Sequence, residues 1–186
     1  TQMVKKYIPQ RTLRPVAIKV ERKGSLAQQR LENEAKWLAL VNQKGIGPQL
    51  LLAGERYIVM EFVVGMIIEE WMKDKTCSEI LKVLHSVLEQ CFVLDQLHAA
   101  KEEMHHPHKH IIITSKGEPV MIDFERCHES ENPQNVTQYV EYICRLRKEL
   151  AAKGFIVPVD MFRQLAKNYK EQRGKETYKA LAKVLV

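Results

Sequence analysis

Ile111-Ile112-Ile113, then Thr114-Ser115-Lys116-Gly117-Glu118, then Val120-Met121-Ile122-Asp123-Phe124-Glu125 is the stretch whose reading decides the fold. Two short apolar runs flank a polar segment containing one glycine, a pattern that predicts a β-hairpin. The second strand delivers the Asp123 carboxylate at its end. A basic run, His105-His106-Pro107-His108-Lys109-His110, leads into the first strand. A carboxylate fixed by a rigid strand beside imidazoles and an amine suits metal-assisted phosphoryl transfer. The same residues also fit a surface hairpin with a solvated loop, so the rest of the chain has to decide.

Toward the N-terminus, Arg14-Pro15-Val16-Ala17-Ile18-Lys19-Val20 is a β-branched run with one lysine among apolar residues. Such a lysine either guards a strand edge or aims its amine at a partner. Ser25, with Gln28 three residues on, reads as a capping-box start, and Leu31, Ala35 and Leu38 form one apolar stripe at helical spacing. Glu34 falls on that inward stripe. A carboxylate facing a core needs a counter-charge, because losing one partner of a buried pair costs roughly 3–5 kcal/mol. Lys19 is the nearest candidate. Their pairing serves either structure alone or the holding of a ligand.

The wider pattern is strand, helix, strand, strand, then helices. Val16–Val20 is followed by a helix from Ser25 to about Lys44, which Gly45 and Gly47-Pro48 stop. Leu50–Ala53 and Tyr57–Val63 follow as strands joined at Gly54-Glu55-Arg56. The segment from Ser78 to Leu97 is apolar on nearly every face, as in a buried helix. Asn135 with Gln138 opens another helix, striped by Val136, Tyr139, Val140, Ile143, Leu146 and Leu150. Two more are expected, from Asp160 to about Lys170 and from Lys175 to the end. The expected division is an N-terminal lobe over 1–63 and a mainly helical lobe over 64–186, the latter holding the hairpin region 105–125.

Composition narrows the class. The 186 residues are enough for one domain or two small lobes with a substantial core. No apolar run approaches the ~18 residues that span a bilayer, and no signal-peptide pattern opens the chain, so the expectation is a cytoplasmic protein away from the membrane. Cys77, Cys91, Cys127 and Cys144 are scattered, with no Cys-x-x-Cys pair, which argues against a zinc knuckle or disulfide framework. Net charge is +6. That excess fits a lysine-rich surface, or attraction to nucleotide phosphates, RNA or an acidic partner. The basic clusters near each end carry no interleaved aromatics, so nucleic acid is permitted without being argued.

A strand lysine, a helix glutamate fifteen residues later and a strand-end Asp-Phe pair resemble the protein kinase pattern. The chain resembles most closely the short archaeal group of predicted Ser/Thr protein kinases, itself akin to RIO-type kinases and to the small archaeal kinase of the tRNA threonylcarbamoyl-adenosine complex. The resemblance rests on Val16-Ala17-Ile18-Lys19, Glu34-Ala35, Gly45-Ile46-Gly47-Pro48 and Tyr57-Ile58-Val59-Met60-Glu61-Phe62. It continues through Pro107-His108-Lys109-His110-Ile111-Ile112-Ile113, Ile122-Asp123-Phe124-Glu125-Arg126 and Asn135-Val136-Thr137-Gln138. It implies an α+β, protein-kinase-like fold with a small N-terminal β-sheet lobe carrying one helix. It also implies ATP with Mg2+ or Mn2+. Lys19, fixed by Glu34, would hold the α- and β-phosphates, and Asp123 would bind the metal. Glu61-Phe62-Val63 would be the hinge against adenine, with Met60 behind it; read in isolation these residues are a strand end.

Three departures from the family pattern stand out. Where kinases carry His-Arg-Asp with an Asn five residues after the Asp, His110 takes the Asn position and His105 the Asp position. No carboxylate lies between Met104 and Ile113. His105, His108 or Glu125 would have to stand in for the base, and His110 would be a second metal ligand. Imidazole there favours Mn2+ or Zn2+ over Mg2+. The four histidines could alternatively form a transition-metal site of their own, or contact phosphates together with Lys109. Secondly, Glu125 replaces the usual Gly, as a second metal ligand or as a partner for Arg126. Thirdly, no glycine precedes Lys19, Gly24 being the first, so a glycine-rich loop is absent unless a flexible segment before or within Tyr7–Arg11 covers the phosphates. The segment from Glu129 to Asn135 is also short for a regulated activation loop. The expected function is an atypical Ser/Thr protein kinase-like phosphotransferase. The alternative is a nucleotide-binding pseudokinase or ATPase that regulates a partner. The acceptor, whether a protein Ser/Thr, a small alcohol, a nucleoside or water, is not specified. Aminoglycoside- and choline-type kinases share these core residues but usually keep the catalytic Asp.

Overall fold

A computed structural model describes residues 2–5, 15–21 and 27–186. The capping-box start at Ser25 and the Tyr7–Arg11 segment lie outside the described residues. The elements in chain order are β1 (Gln2–Lys5), β2 (Pro15–Val20), α1 (Ala27–Val41), β3 (Leu50–Gly54), β4 (Tyr57–Glu61), β5 (Gly65–Ile67), α2 (Ile68–Lys73), α3 (Cys77–Gln96) and β6 (Ala99–Ala100). They continue as β7 (Ile111–Thr114), β8 (Pro119–Met121), β9 (His128–Glu129), α4 (Asn135–Arg145), α5 (Arg147–Ala152), α6 (Val159–Glu171) and α7 (Lys175–Ala182). The chain is therefore mixed α and β, with small antiparallel sheets. No helix among the described residues is long and apolar enough to cross a membrane.

The chain divides into two compact units, Thr1–Val64 with Val120–Cys127, and Gly65–Pro119 with His128–Val186. The sequence division put the whole of 105–125 in the second lobe; Val120–Cys127, with Asp123, instead clusters with the first unit. The reason is local. Phe124 is fully buried, and Asn33 on α1 donates its side-chain amide to the carbonyls of Glu125 (3.0 Å) and Cys127 (2.7 Å).

In the first unit a four-stranded sheet runs in the order β1-β2-β4-β3. The register sets Ala17 opposite Met60 and Lys19 opposite Ile58. Residues directly across an antiparallel pair share a face. Ala17, Ile58 and Met60 are buried while Val20 and Tyr57 are exposed, which is the period-2 alternation of a half-buried sheet. From α1, Leu31, Trp37, Leu38 and Val41 complete this core. The α-helix stops at Val41, earlier than the sequence pattern suggested, and Asn42–Lys44 tightens into a 3-10 turn. The Asn42 side chain organises the passage from this turn into β3. Its amide donates to the carbonyls of Ile46 and Pro48, and its oxygen accepts from the Leu50 N–H at 2.7 Å. Gly47 sits at φ 77°, where a Cβ would come within 3.1 Å of the Phe124 ring and 3.2 Å of Leu38. Only glycine satisfies both the backbone and the space.

The second unit is built around α3. Thr76 and Glu79 form a reciprocal capping box at its start, and Ile80, Leu84, Val87, Leu88 and Leu94 are almost wholly buried. Tyr139 on α4 and Phe162 and Tyr169 on α6 supply the bulk of the remaining core. The single apolar stripe from Val136 to Leu150 belongs to two helices, because the chain breaks at Leu146 between α4 and α5. β5 pairs antiparallel with β7, Met66 facing Ile113. The turn after β7 closes through Thr114 N–H to Glu118 carbonyl and Gly117 N–H to Thr114 carbonyl, at 3.0 and 2.9 Å.

Buried polarity in this unit is concentrated at Asp95, whose oxygens accept from the Asn135 N–H (3.0 Å), the Asn135 side-chain amide (2.7 Å), the Tyr169 hydroxyl (3.0 Å) and the Val136 N–H (3.4 Å). Asp95 thereby caps α4 from a neighbouring helix. Its negative charge also opposes the positive N-terminal end of that helix dipole.

Candidate functional site

The first unit gathers Lys19, Glu34 and Asp123. Lys19 Nζ donates to both carboxylate oxygens of Glu34, at 2.9 and 2.7 Å, and lies 3.3 Å from Asp123 Oδ1. Each partner arrives by simple periodicity. Lys19 shares the inward face of β2 with Ala17, and Glu34 sits among Leu31 and Leu38 on the core side of α1. Glu34 is only 1% exposed, and its Oε1 also accepts from the Phe124 N–H at 3.4 Å. The ion pair expected between Lys19 and Glu34 is therefore present, and Asp123 joins it.

Electrostatics hold the amine charged. Burial alone would lower the Lys19 pKa, but the charge and hydrogen bonds of Glu34, then those of Asp123, outweigh it and raise the pKa above its ordinary 10.5. Burial pushes the Glu34 carboxyl upward, against the pull of the Lys19 charge.

Asp123 has φ 65°, one of three non-glycine residues in the left-handed region among the described residues. Aspartate is among the residues that tolerate this conformation, and such outliers cluster at functional sites. Buried Phe124 and the Asn33 bonds to Glu125 and Cys127 pin the segment that follows it. The Asp123 side chain keeps 34% of its surface exposed, which distinguishes it from Glu34.

Glu125 completes an acidic group. One carboxylate oxygen from each of Glu34, Asp123 and Glu125 lies within 4.8 Å of the others, the only such His/Cys/Asp/Glu set of three or more among the described residues. Its donors are all oxygens, which fits Mg2+ or Mn2+ and not a softer ion. Arg30 Nη1 approaches Glu125 at 3.7 Å and Arg126 Nε at 4.0 Å. Arg126 and Arg30 are both within ion-pair range of Glu125, and Arg30 is a partner the sequence reading missed.

Of the residues assigned to a hinge, Met60 is buried on β4. The Glu61 N–H is already engaged, donating to the Gln49 carbonyl at 2.8 Å. β4 ends at Glu61, so the strand is two residues shorter than expected. Val63 lies beyond it, half-buried, and its backbone makes no hydrogen bond with a described residue.

His105, His108, Lys109 and His110 belong to the second unit. Pro107–Lys109 is a short 3-10 turn. The His105 and His106 rings are 4.8 Å apart and those of His106 and His108 6.3 Å. The Arg145 guanidinium lies 2.8–2.9 Å from the His106 ring nitrogens and donates to the His105 carbonyl at 3.3 Å. His106 is consequently held below the usual imidazole pKa, through partial loss of water and then the charges of His105, Arg145 and His108. His110 Nε2 lies 3.2 Å from a Glu103 carboxylate oxygen. Lys109 is exposed. The four histidines do not form a shared metal site.

Sequence reasoning passed over Asn33, Arg30 and Arg145. Asn33 carried a signal: asparagine is a poor residue for a helix interior, so one placed beside Glu34 had a tertiary reason to be there. The chain matches no family model, and no curated protein matches it.

Proposed function

We propose that this chain is a protein-kinase-like phosphotransferase that uses ATP with Mg2+ or Mn2+. The observation that carries the reading is the Lys19 amine shared between buried Glu34 and the left-handed Asp123. The order of parts supports it, with a lysine in β2, its partner in α1, and Asp123-Phe124 after an apolar strand. A structural ion pair alone needs only Lys19 and Glu34; the third group, strained and one-third exposed, has no role in that pair. Lys19 would bind the phosphates. Asp123 and Glu125 would hold the cation, which supplies neutralisation of the phosphate charge. His105, His108 and Lys109 enter this proposal by the family resemblance alone, as groups for the acceptor loop.

No carboxylate lies between Met104 and Ile113. General-base help is worth about 10²–10⁴ in rate, so slow turnover is expected. That same feature favours a second reading, a nucleotide sensor that regulates a partner without transferring phosphate.

The test is incubation with γ-labelled ATP and either cation, wild type against Asp123→Ala, following protein-bound and free phosphate. Label on the protein that disappears in the variant supports the kinase, and the labelled residue identifies the acceptor class. Released phosphate alone, also lost in the variant, makes the chain an ATPase. ATP-dependent thermal stabilisation without any transfer supports the sensor. Neither transfer nor stabilisation would overturn both readings.

A further inference from the structure

A cavity of about 610 Å³ opens in the second unit beside the first turns of α3. Leu81, Lys82 and His85 lie on one face of α3 at three- and four-residue spacing, with Cys77 one turn earlier. Across from them stand Phe155 and Leu185. A Schellman turn presents Phe155: Gly154, at φ 92°, donates to the Ala151 carbonyl, and the Phe155 N–H reaches back to Leu150 at 2.9 Å. The volume lies within the roughly 300–1,000 Å³ usual for small-ligand sites.

The charge on this wall is unmatched. Lys82 and His85 make no hydrogen bond or ion pair with any described residue. Of the acids one turn from them on α3, Glu79 is occupied by Thr76 and Lys75, and Glu89, four residues after His85, makes no ion pair with it. An ammonium and an imidazole N–H thus stand unused on a cavity whose remaining lining is mostly apolar, with Ser78 and Val186 also at its wall.

We propose that this cavity binds a small organic carboxylate. Its head would be held by Lys82 and His85, and its apolar body would lie along Leu81, Phe155 and Leu185. The chemistry follows from the lining, since a cation favours an anion and the apolar walls favour a hydrocarbon or aromatic body over a bare inorganic ion. Nothing in this site draws on the Lys19 group, so it stands or falls independently of the kinase reading.

Cys77 provides a reporter. It is half-buried at the cavity, whereas Cys91, Cys127 and Cys144 are buried. Alkylation of Cys77 by iodoacetamide, read by mass spectrometry, is expected to slow saturably with octanoate and to be unaffected by octylammonium or octanol. Lys82→Ala should weaken octanoate protection about tenfold, the usual effect of losing one charge-assisted hydrogen bond. Lys82→Glu should abolish protection. Lys82 is exposed, so both variants are expected to melt like wild type. Absence of protection by octanoate would overturn the proposal. So would equal protection by octylammonium or octanol, or protection that survives Lys82→Glu.

Discussion

Among the described residues each unit buries one acidic side chain, and the two are satisfied in opposite ways. Asp95 is surrounded by neutral donors, with Asn135 amides, the Val136 N–H and the Tyr169 hydroxyl filling its oxygens. Glu34 is met by a cation, Lys19, which also reaches Asp123. The first arrangement is closed. Asp95, Asn135 and Tyr169 are each at most 5% exposed, and the network ties three helices together with no group turned outward. The second ends in a one-third exposed carboxylate on a strained backbone. A buried acid that only holds a fold is best served by neutral partners, whereas a mutually charged set leading to an accessible acid is suited to holding an ionic ligand.

That contrast can be broken most decisively at Asp123. Under the proposed kinase function, Asp123→Ala is expected to lower phosphotransfer at least about a hundredfold, the scale seen when a group stabilising transition-state charge is removed, with little change in melting temperature. Asp95→Asn should do the reverse, lowering the melting temperature while transfer per folded molecule is unchanged. If both variants lose transfer in proportion to lost fold, the two clusters do not differ in role.

The next largest effect is on stability. Asp95→Ala leaves several buried donors without an acceptor and should cost roughly 3–5 kcal/mol in urea unfolding. Lys19→Met strands the Glu34 carboxylate, but its lysine is a quarter exposed, so a loss of about 2–4 kcal/mol is expected. Adding Glu34→Gln to Lys19→Met should recover more than half of that loss. A double variant no better than the single would show that the pair's charges are not what matters. Gly47→Ala should cost about 1–2 kcal/mol, from left-handed strain together with the approach to Phe124.

The smallest effect is a pH dependence. Burial raises the Asp95 pKa above its ordinary 3.8, outweighing the donors around it. A carboxyl whose folded pKa is raised favours folding fully below the unfolded value, and that contribution is lost as pH rises through the folded value. The stability of wild type relative to Asp95→Asn should therefore be greatest below the ordinary 3.8 and shrink as pH rises above it. A gap that widens with pH would show that the donors, not burial, dominate.

The two clusters were unequally legible. Lys19 and Glu34 announced themselves because a charged residue on an inward-facing position violates the periodicity around it. Asp123 was marked by the strand it ends. Asp95 sat unnoticed in a helix that is apolar on nearly every face, with Asn135 and Tyr169 40 and 74 residues away. Asn135 was read as the start of a helix but not as the side chain that Asp95 holds. The stripe through Leu146 likewise gave no hint of a break, since apolar spacing continues across it.

Local periodicity by itself determined β2, α1, β3 and β4, the mainly helical remainder and the inward placement of Glu34, because side-chain direction repeats every two or 3.6 residues whatever the chain does elsewhere; β1 was not read from the sequence. Only the tertiary structure decided that Val120–Cys127 packs with the N-terminal residues and that Asp123 turns left-handed beside Lys19. It alone decided that Glu125 meets Arg30. Those outcomes depend on Asn33, Gly47 and Phe124 meeting across long stretches of chain, a separation over which no local pattern carries information.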